Sequence, residues 1–295
     1  AMDKETIVNG YVLDERRRLI GMVSMRQLLV AQGTDVLGDI MQENVITANT
    51  LDDQETVAQI IQKYDFSALP IVDSENRLVG IVTVDDVVDV LQEEATEDIE
   101  KMAAILPTDK PYLRTGVLET WKKRIPWLLL LMVSATFTSA ILTHFENALA
   151  AQSALIAFIP MLMDTGGNAG GQSSVTIIRG LSLQEIELKD IFAVIWKEIR
   201  VAMLCGIALA TANFAKLMLI DRLLNPDITV RIALVVCITL VIAVLFAKII
   251  GCTLPILAKR IGFDPAVMAS PFITTIVDAV SLLVYFLIAS ILLPM

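Results

Sequence analysis

The sequence has few of the residues that bind zinc or form disulfides. It contains one histidine, His144, and three cysteines, Cys205, Cys237 and Cys252. The cysteines lie in apolar stretches without framework spacing, so we expect them to be small hydrophobic core residues. A glycine-rich loop ending in Gly-Lys-Ser or Gly-Lys-Thr is also absent from the sequence, which argues against ATP hydrolysis by a P-loop. These absences disfavour a disulfide scaffold, a zinc site and a P-loop ATPase.

Charge is distributed unevenly along the chain. The first 126 residues hold 23 of the 33 acidic residues and 13 of the 23 basic ones, so the whole net charge of −10 lies there. The remainder is dominated by Leu, Ile, Val, Ala, Met and Phe. This division predicts an acidic, water-soluble domain followed by a membrane domain. We expect no nucleic-acid partner.

The acidic part contains an internal repeat. Residues 11–28 recur as residues 70–87 at a constant offset of 59, so that Asp14 matches Asp73 and Gly21 matches Gly80. Each copy predicts a strand, a polar turn, a second strand and a helix, because β-branched runs flank turn residues. The first copy lacks its front half, so we expect further residues upstream.

A dense acidic run follows the repeat. Residues 92–100 hold five carboxylates, and Glu93, Glu94, Glu97 and Asp98 are spaced to share helix faces. Crowded carboxylates repel until a cation binds between them, which would make this run a divalent-cation sensor. The alternative is an ordinary solvated helix face.

Five stretches are apolar and long enough to cross a bilayer. They are roughly Pro126–Thr143, Ala148–Ile178, Ile191–Ile220, Ile232–Ile256 and Val267–Leu293. The distribution of Lys and Arg between them predicts a cytoplasmic N-terminal domain and a C-terminus outside. Because five is an odd number, a symmetric pore requires a second copy, and we expect a homodimer with the pore on its twofold axis.

The fifth span carries a carboxylate at membrane depth. Asp278 lies eleven residues past Val267, or about 16 Å along a helix, near the middle of a ~30 Å hydrocarbon core. Such residues usually face a partner or a water-filled path. Ser270, Thr274, Ser281 and Tyr285 share its helix face and form a polar stripe. The alternative is a carboxylate hydrogen-bonded to these hydroxyls for packing alone.

The second span carries a similar stripe within a glycine-rich segment. Asp164, Asn168, Gln172 and Thr176 are spaced four residues apart. The glycines alone would suit a helix-packing interface, but they do not explain amides and a carboxylate at membrane depth. All these groups are oxygen donors, which suit Mg²⁺, Ca²⁺ or Mn²⁺. Mg²⁺ keeps most of its water, so a site with few carboxylates fits it best.

The repeat resembles the cystathionine-β-synthase (CBS) module, with the first copy partial and the second complete. CBS modules usually pair, and many bind adenine nucleotides such as ATP. Their ribose-contact motif matches Gly80, Thr83 and Asp86, which the resemblance implies as nucleotide-binding residues. The first copy has Ser24 but Gln27, which breaks the motif. The alternative is that Asp86 only begins the following helix.

The whole chain resembles the MgtE magnesium channels and transporters, most specifically in residues 160–174 and in Asp264-Pro-Ala followed by Asp278. The resemblance implies a homodimer of five-helix subunits whose pore is lined by the second and fifth helices. It also implies a linker "plug" helix at roughly Thr108–Lys123. Relatives carry an acidic N-terminal helical domain, which the resemblance places ahead of this sequence. The resemblance implies Mg²⁺ ligands at Asp278 in the pore, Asp264 on the cytoplasmic side, and Glu94, Glu97 and Asp98 in the sensor.

The expected fold class is an α-helical membrane protein of five transmembrane helices per subunit, preceded by an α/β CBS-type domain. The expected divisions are 1–34 and 35–99 for the two CBS repeats, 100–124 for the linker helix and 125–295 for the pore domain. Asp278, Asp164, Asn168, Gln172, Ser270, Thr274 and Ser281 are expected to line the pore. The expected function is Mg²⁺ passage across the cytoplasmic (inner) membrane, closed by cytosolic Mg²⁺.

Three alternatives stay open. A CBS-regulated transporter could carry Mn²⁺, Co²⁺ or Ca²⁺ instead. An anion transporter should show cationic pore residues, whereas this sequence offers carboxylates. An intramembrane aspartyl enzyme could use Asp164 and Asp278 as a pair, but no nucleophile or phosphate-binding signature accompanies them. The sequence does not separate a channel from a carrier.

Overall fold

The structure is a computed structural model that describes residues 8–108, 110–146, 152–268 and 270–293. The chain divides into two compact units, Ala1–Thr96 and Glu97–Met295. The division falls within one long helix.

The first unit alternates short strands and helices. Strands β1 and β2 form an antiparallel pair, while β3 pairs parallel to β4 and β4 pairs antiparallel to β5. The elements are β1 (Asn9–Leu13), β2 (Leu19–Ser24), α1 (Met25–Val30), α2 (Leu37–Ile40), β3 (Ala48–Asn49), α3 (Gln54–Tyr64), β4 (Ala68–Val72), β5 (Leu78–Thr83) and α4 (Val84–Met102).

The sequence repeat is also a structural repeat. Both copies form the predicted strand, turn, strand and helix, as β1–β2–α1 and β4–β5–α4. The turns bond to each other, because Leu19 N–H donates to the Asn76 carbonyl at 2.9 Å and Leu78 N–H to the Arg17 carbonyl at 3.1 Å. Arg17 and Asn76 both have positive φ, 63° and 62°. The two copies therefore face each other through equivalent turns.

Helix α3 closes the core of the first unit. Its N-cap is Asp53, whose carboxylate accepts a hydrogen bond from Glu55 N–H at 2.9 Å. The buried face of α3 packs with strand and α4 residues. The core consists of Ala48, Val57, Ala58, Ile61, Leu69 and Val87.

The second unit is helical. After the end of α4 and a short 3₁₀ turn (Tyr112–Arg114), it contains α5 (Val117–His144), a 3₁₀ segment (Ser153–Phe158), α6 (Ile159–Ser182), α7 (Ile191–Lys216), α8 (Val230–Arg260), a 3₁₀ turn (Pro265–Met268) and α9 (Ser270–Leu292). Helix α7 continues through a π-helical stretch, Leu217–Asp221, and a last turn, Arg222–Leu224.

Four helical stretches are long and apolar enough to cross a membrane: Val117–His144, Leu188–Leu224, Val230–Arg260 and Pro265–Leu292. The fifth long helix, α6, has 24 residues, but its amides, carboxylate and glycines reduce its apolar character. The described residues thus contain the five long helices expected for a helical membrane fold, and these follow the α/β domain in the sequence.

Helix α8 is the centre of this unit. It packs against α6, α7 and α9, while α5 contacts α9 and buries none of its own residues. The largest core cluster joins α8, the later half of α9 and the 3₁₀ segment. Its fully buried members include Leu155, Ile232, Leu282, Tyr285 and Phe286.

Two predicted boundaries differ from the structure. A linker helix ending near Lys123 and a span beginning at Pro126 were expected, but α5 runs unbroken through Pro126. Proline removes one backbone N–H donor from the helix, and the helix continues into the leucine-rich residues 128–131. The second span was expected from Ala148, whereas α6 begins at Ile159; residues 147–151 lie outside the described part of the chain.

The cysteines are all free thiols. Cys237 and Cys252 are buried, as predicted, and Cys205 is half-buried. Cys237 belongs to the largest core cluster and Cys252 to a smaller one with Ile177 and Ile256.

Candidate functional site

The two polar stripes meet at a pocket of about 440 Å³ between α6 and α9. The polar groups facing it are Asp164 and Asn168 from α6 and Thr274 and Asp278 from α9. Ile159, Pro160, Met163 and Gly167 complete its wall. Asp164 and Asn168 are exposed on the surface of the subunit, whereas Asp278 is half-buried. The pocket therefore opens on the outer face of α6.

Gly167 allows α6 to approach α9 closely at this pocket. A Cβ at position 167 would lie 3.0 Å from Thr274 Cγ2 and 3.9 Å from Asp278 Oδ1. The first distance is tighter than ordinary van der Waals contact, so a larger residue would push the helices apart. The missing side chain leaves room beside the Asp278 carboxylate.

Among the described residues, neither Asp164 nor Asp278 forms an ion pair or accepts a hydrogen bond. An unbalanced carboxylate at membrane depth is costly. Two of them beside one open pocket form a site that favours a cation.

The site does not enclose a metal ion with protein ligands alone. Within the described residues, no group of three or more His, Cys, Asp or Glu side chains converges. The chain offers two carboxylates, one amide and one hydroxyl at the pocket. This sparse oxygen set suits a cation that retains much of its water.

Other residues of the predicted stripes lie away from the pocket. Gln172 is exposed one turn beyond Asn168 on α6. Ser281 is 1% exposed, and its hydroxyl lies where a Cβ on Gly166 would come within 2.8 Å. The Tyr285 hydroxyl is buried and donates to the Leu155 carbonyl at 3.0 Å. Ser270 begins α9, but its side chain is outside the described part of the structure.

Asp264 lies in a salt-bridge cluster at the loop before α9. Its carboxylate accepts hydrogen bonds from Lys101 Nζ at 2.6 Å and from Ala266 N–H at 2.8 Å. The same ammonium forms an ion pair with Glu97. Burial would lower the pKa of Lys101, but its hydrogen bonds to Asp264 and Glu97 outweigh burial and raise that pKa. Asp264 and Glu97, both expected to be Mg²⁺ ligands, therefore pair with the same lysine.

The remaining sensor residues are separate from this cluster. Glu94 accepts a hydrogen bond from Gln54 Nε2 at 2.8 Å. Asp98 follows Glu97 on α4 and is half-buried. Spacing placed these acids on neighbouring turns of one helix, as the structure has them. Their neighbours on other elements could not be read from that spacing.

Asp86 lies in the first turn of α4 and accepts hydrogen bonds at the N-terminus of that helix. Its carboxylate accepts hydrogen bonds from the Thr83 hydroxyl at 2.7 Å and from Thr83 N–H at 3.2 Å. The hydroxyl bond lowers the pKa of Asp86. Ser24 and Gln27 form the equivalent capping box in the first copy. The cavity between the repeats, about 80 Å³, is lined by neither Thr83 nor Asp86.

Four polar residues that interact within the second unit were missed by the sequence reasoning. These are Lys101 at the Asp264 cluster, and Ser173, Glu198 and Lys248 inside the helix bundle. Glu198 and Lys248 are charges within apolar runs, so intramembrane charge alone could have flagged them. Lys101 had no such signal, because a lysine after an acidic run is ordinary.

The pocket lies within a segment that matches a known family. Residues 159–288 match the MgtE family model, described as a divalent cation transporter. The chain carries an MgtE domain. Residues 37–93 match the CBS domain model, so a CBS domain precedes the MgtE domain.

Two magnesium transporters are similar to nearly the whole of this chain. The chain is 42% identical over 294 residues to the magnesium transporter MgtE of Thermus thermophilus, which covers 99% of this chain and 64% of that protein. It is 37% identical over 290 residues to the magnesium transporter MgtE of Bacillus subtilis, covering 97% of this chain and 62% of the relative. The chain therefore spans less than two thirds of these relatives' length.

A solved structure matches a smaller part. The cytosolic domain of the Mg²⁺ channel MgtE in complex with ATP is 52% identical over 30% of this chain and 36% of that one, with a TM-score of 0.30.

Proposed function

We propose that the MgtE domain forms a pathway for Mg²⁺ across the cytoplasmic membrane, with Asp278 as its central ligand. The observation that carries this proposal is the pair of uncompensated carboxylates, Asp164 and Asp278, at one open pocket between two long helices. A cation crossing a bilayer loses the stabilisation of bulk water. Fixed carboxylates at membrane depth offset part of that loss.

Mg²⁺ is the proposed cargo because the pocket supplies few direct ligands. Mg²⁺ dehydrates reluctantly and binds proteins through one or two carboxylates with several waters retained. The pocket volume of about 440 Å³ leaves space for such waters. A fully dehydrated Ca²⁺ would require six to eight oxygen ligands.

We propose that two copies of the chain form the pathway. The stripe of Asp164, Asn168, Gln172 and Thr176 is exposed along α6. Polar groups at membrane depth normally face protein or water rather than lipid. A second copy related by a twofold axis would enclose the stripe and bring two further carboxylates to it. The positive-inside rule places the N-terminal domain in the cytoplasm and the C-terminus outside.

The cargo is tested by measuring ion flux with purified protein in liposomes. Mg²⁺, Mn²⁺, Co²⁺ and Ca²⁺ are supplied separately at equal concentration, with empty liposomes as the control. We expect Mg²⁺ uptake above the control, reduced by competition from other divalent cations. Uptake of Mn²⁺ or Co²⁺ without Mg²⁺ would assign the domain to another cation, and uptake of none would contradict the proposal.

We further propose that cytosolic Mg²⁺ closes the pathway through Glu94, Glu97, Asp98 and Asp264, with residues 108–123 as the plug. Binding of a divalent cation would neutralise the acidic cluster and favour the closed state. In this chain Lys101 already supplies one positive charge between Glu97 and Asp264. The lysine therefore competes with a divalent cation for these two carboxylates.

Replacing Lys101 with methionine should make closure more sensitive to Mg²⁺. The substitution keeps a side chain of similar length but leaves two nearby carboxylates without their shared ammonium. Half-maximal inhibition by cytoplasmic Mg²⁺, measured by single-channel open probability, should shift to lower concentration.

The control is Lys189→Met. Lys189 forms an ion pair with Glu187 at 2.8 Å; both residues are exposed, and they lie between α6 and α7, outside the plug and the acidic cluster. It should leave the Mg²⁺ response unchanged. An unchanged response in Lys101→Met as well would mean that the Lys101 cluster only holds the loop in place.

Adenine nucleotide binding by the CBS domain is a separate proposal, supported by the Gly80, Thr83 and Asp86 motif. Asp86→Ala should abolish ATP binding measured by equilibrium dialysis, whereas Asp85→Ala at the neighbouring exposed carboxylate should not. The substitution should also lower the stability of the protein, because it removes the two hydrogen bonds that Asp86 accepts at the N-terminus of α4. Full ATP binding by Asp86→Ala would leave that residue with its capping role only.

A further inference from the structure

Three polar side chains meet inside the helix bundle, away from the pocket. The Ser173 hydroxyl donates to Glu198 Oε2 at 2.6 Å and accepts a hydrogen bond from Lys248 Nζ at 3.1 Å. Lys248 Nζ lies 3.6 Å from the same Glu198 oxygen. These residues belong to α6, α7 and α8, and we call them the Ser173 network.

The network is buried in apolar surroundings. Ser173 is 2%, Lys248 5% and Glu198 9% exposed. One turn away along each helix lie Ala169, Ala202 and Val244, which belong to a buried hydrophobic cluster. A buried ion pair rarely increases stability over apolar residues of the same size, because desolvation offsets the attraction. A role in specifying one arrangement of the helices is the better explanation.

The network attaches to α6 on a different side of the helix from the polar stripe. Asp164, Asn168 and Gln172 are exposed, whereas Ser173 is buried. Successive helical residues are rotated by about 100°, so the direction of Ser173 fixes the direction of the stripe. The backbone hydrogen bonds within α6 do not restrict rotation of the whole helix about its axis. Hydrogen bonds that join one short side chain to both neighbouring helices do restrict it, since Ser173 donates to Glu198 on α7 and accepts from Lys248 on α8.

The network is also the polar connection that binds α6 to α7 and α8 at this level. Ser174, the next residue, is 0% exposed, and its hydroxyl has no hydrogen-bond partner within the described residues. A rotation of α6 about its axis by one residue, or about 100°, would bring Ser174 to the position of Ser173. The polar stripe would then face a different direction. Small residues at the crossing would tolerate such a turn, because Gly170 and Gly171 present no side chain.

We propose that Ser173, Glu198 and Lys248 are positioning residues that fix the rotation of α6 and thereby direct Asp164, Asn168 and Gln172 into the cation pathway. The consequence for transport rests on the proposed function. The rotation itself does not, and it can be measured without any ion.

Cysteine labelling measures the rotation. In a chain with all three native cysteines replaced by alanine, Gln172→Cys and Ser174→Cys are introduced one at a time and treated with a soluble maleimide. With the network intact, position 172 should label and position 174 should not, since they are exposed and buried respectively.

The network is removed by Glu198→Met with Lys248→Met, which keeps the side-chain volume and leaves no unpaired charge. We expect this double variant to remain folded and to lose the labelling difference between positions 172 and 174. Mg²⁺ flux should fall with it although Asp278 is unchanged. A preserved labelling difference would overturn the proposal, whatever the flux.

Ser173→Ala provides a milder variant if the double substitution does not fold. It removes the hydroxyl that joins the three helices and should also reduce the labelling difference. Its matched control is Thr239→Val, which removes a hydroxyl that is 0% exposed and bonds only within α8, to the Val235 carbonyl. If both substitutions changed the labelling difference equally, the network would contribute only to general packing, and its positioning role would be overturned. Absence of Mg²⁺ flux in the unmodified chain would contradict the proposed function and leave the rotation result intact.

Discussion

Replacing Asp278 with alanine should abolish Mg²⁺ uptake into liposomes while leaving a folded protein. The carboxylate lies eight residues into α9, about 12 Å along the helix, and faces the pocket without a counter-charge. Losing a contribution of about 3 kcal/mol at membrane depth would slow passage by roughly a hundredfold or more. The variant should still fold, because an unpaired charge at membrane depth destabilises the protein when no cation is bound, and the substitution removes that charge.

A surface carboxylate serves as the control for Asp278. Asp227→Ala removes an exposed carboxylate from the loop between α7 and α8, and it should transport as the unmodified chain does. Size-exclusion chromatography should show the same elution for both variants. Uptake by Asp278→Ala equal to that of Asp227→Ala would contradict the role of Asp278 as a ligand.

Replacing Gly251 with alanine should have the largest effect on stability. Helices α6 and α8 cross here, and a Cβ on Gly251 would overlap the Gly170 carbonyl group and lie 3.1 Å from Gly170 Cα. Backbone atoms cannot move aside as the end of a flexible side chain can, so the helices must separate. Overpacking of this kind typically costs about 1–3 kcal/mol. Thermal unfolding should occur at lower temperature, and Mg²⁺ uptake should fall because α6 carries the polar stripe.

Gly116→Ala is the matched control for the crossing. Gly116 precedes α5 with a φ of −68°, which alanine adopts readily, and a Cβ there would meet no atom within 4 Å. Its unfolding temperature should stay close to that of the unmodified chain. An unfolding temperature for Gly251→Ala equal to that of Gly116→Ala would show that α6 and α8 do not cross this closely.

Periodicity predicted the helices and the faces that carry polar residues. The spacing of Asp164, Asn168 and Gln172 was sufficient to place them on one stripe, because a helix repeats every 3.6 residues. The structure adds which parts of each face are covered. Ser281 and Tyr285 share the face of Asp278, but α6 and the preceding 3₁₀ segment cover that end of α9. The spacing of residues along one helix does not indicate which of them a neighbouring segment will bury.

Contacts between distant residues were beyond the reach of sequence patterns. Lys101 and Asp264 are separated by 163 positions, and Lys248 and Ser173 by 75. Local patterns report on residues within a few turns, so they could not assign these partners. The sequence did contain one signal, since Lys248 is an isolated charge in an apolar helix and Glu198 is an acid within the apolar span before it. Opposite charges on neighbouring spans would have been a reasonable pair to predict.

Asp86 illustrates two meanings of one motif. Thr or Ser followed three residues later by an acid or amide is a capping box as well as part of a ribose-contact pattern. The first copy keeps the cap with Ser24 and Gln27 although it departs from the ribose pattern. A helix therefore begins at the same place in both copies for the same physical reason.

The pathway through the pocket is tested most directly by modifying Asn168. Asn168→Cys, in a chain with the native cysteines replaced by alanine, places a thiol on the pocket wall beside Asp164 and Asp278. A positively charged thiol reagent should react there, stop Mg²⁺ uptake, and react more slowly when Mg²⁺ is present. Complete modification with unchanged uptake would place the cation pathway elsewhere in the protein.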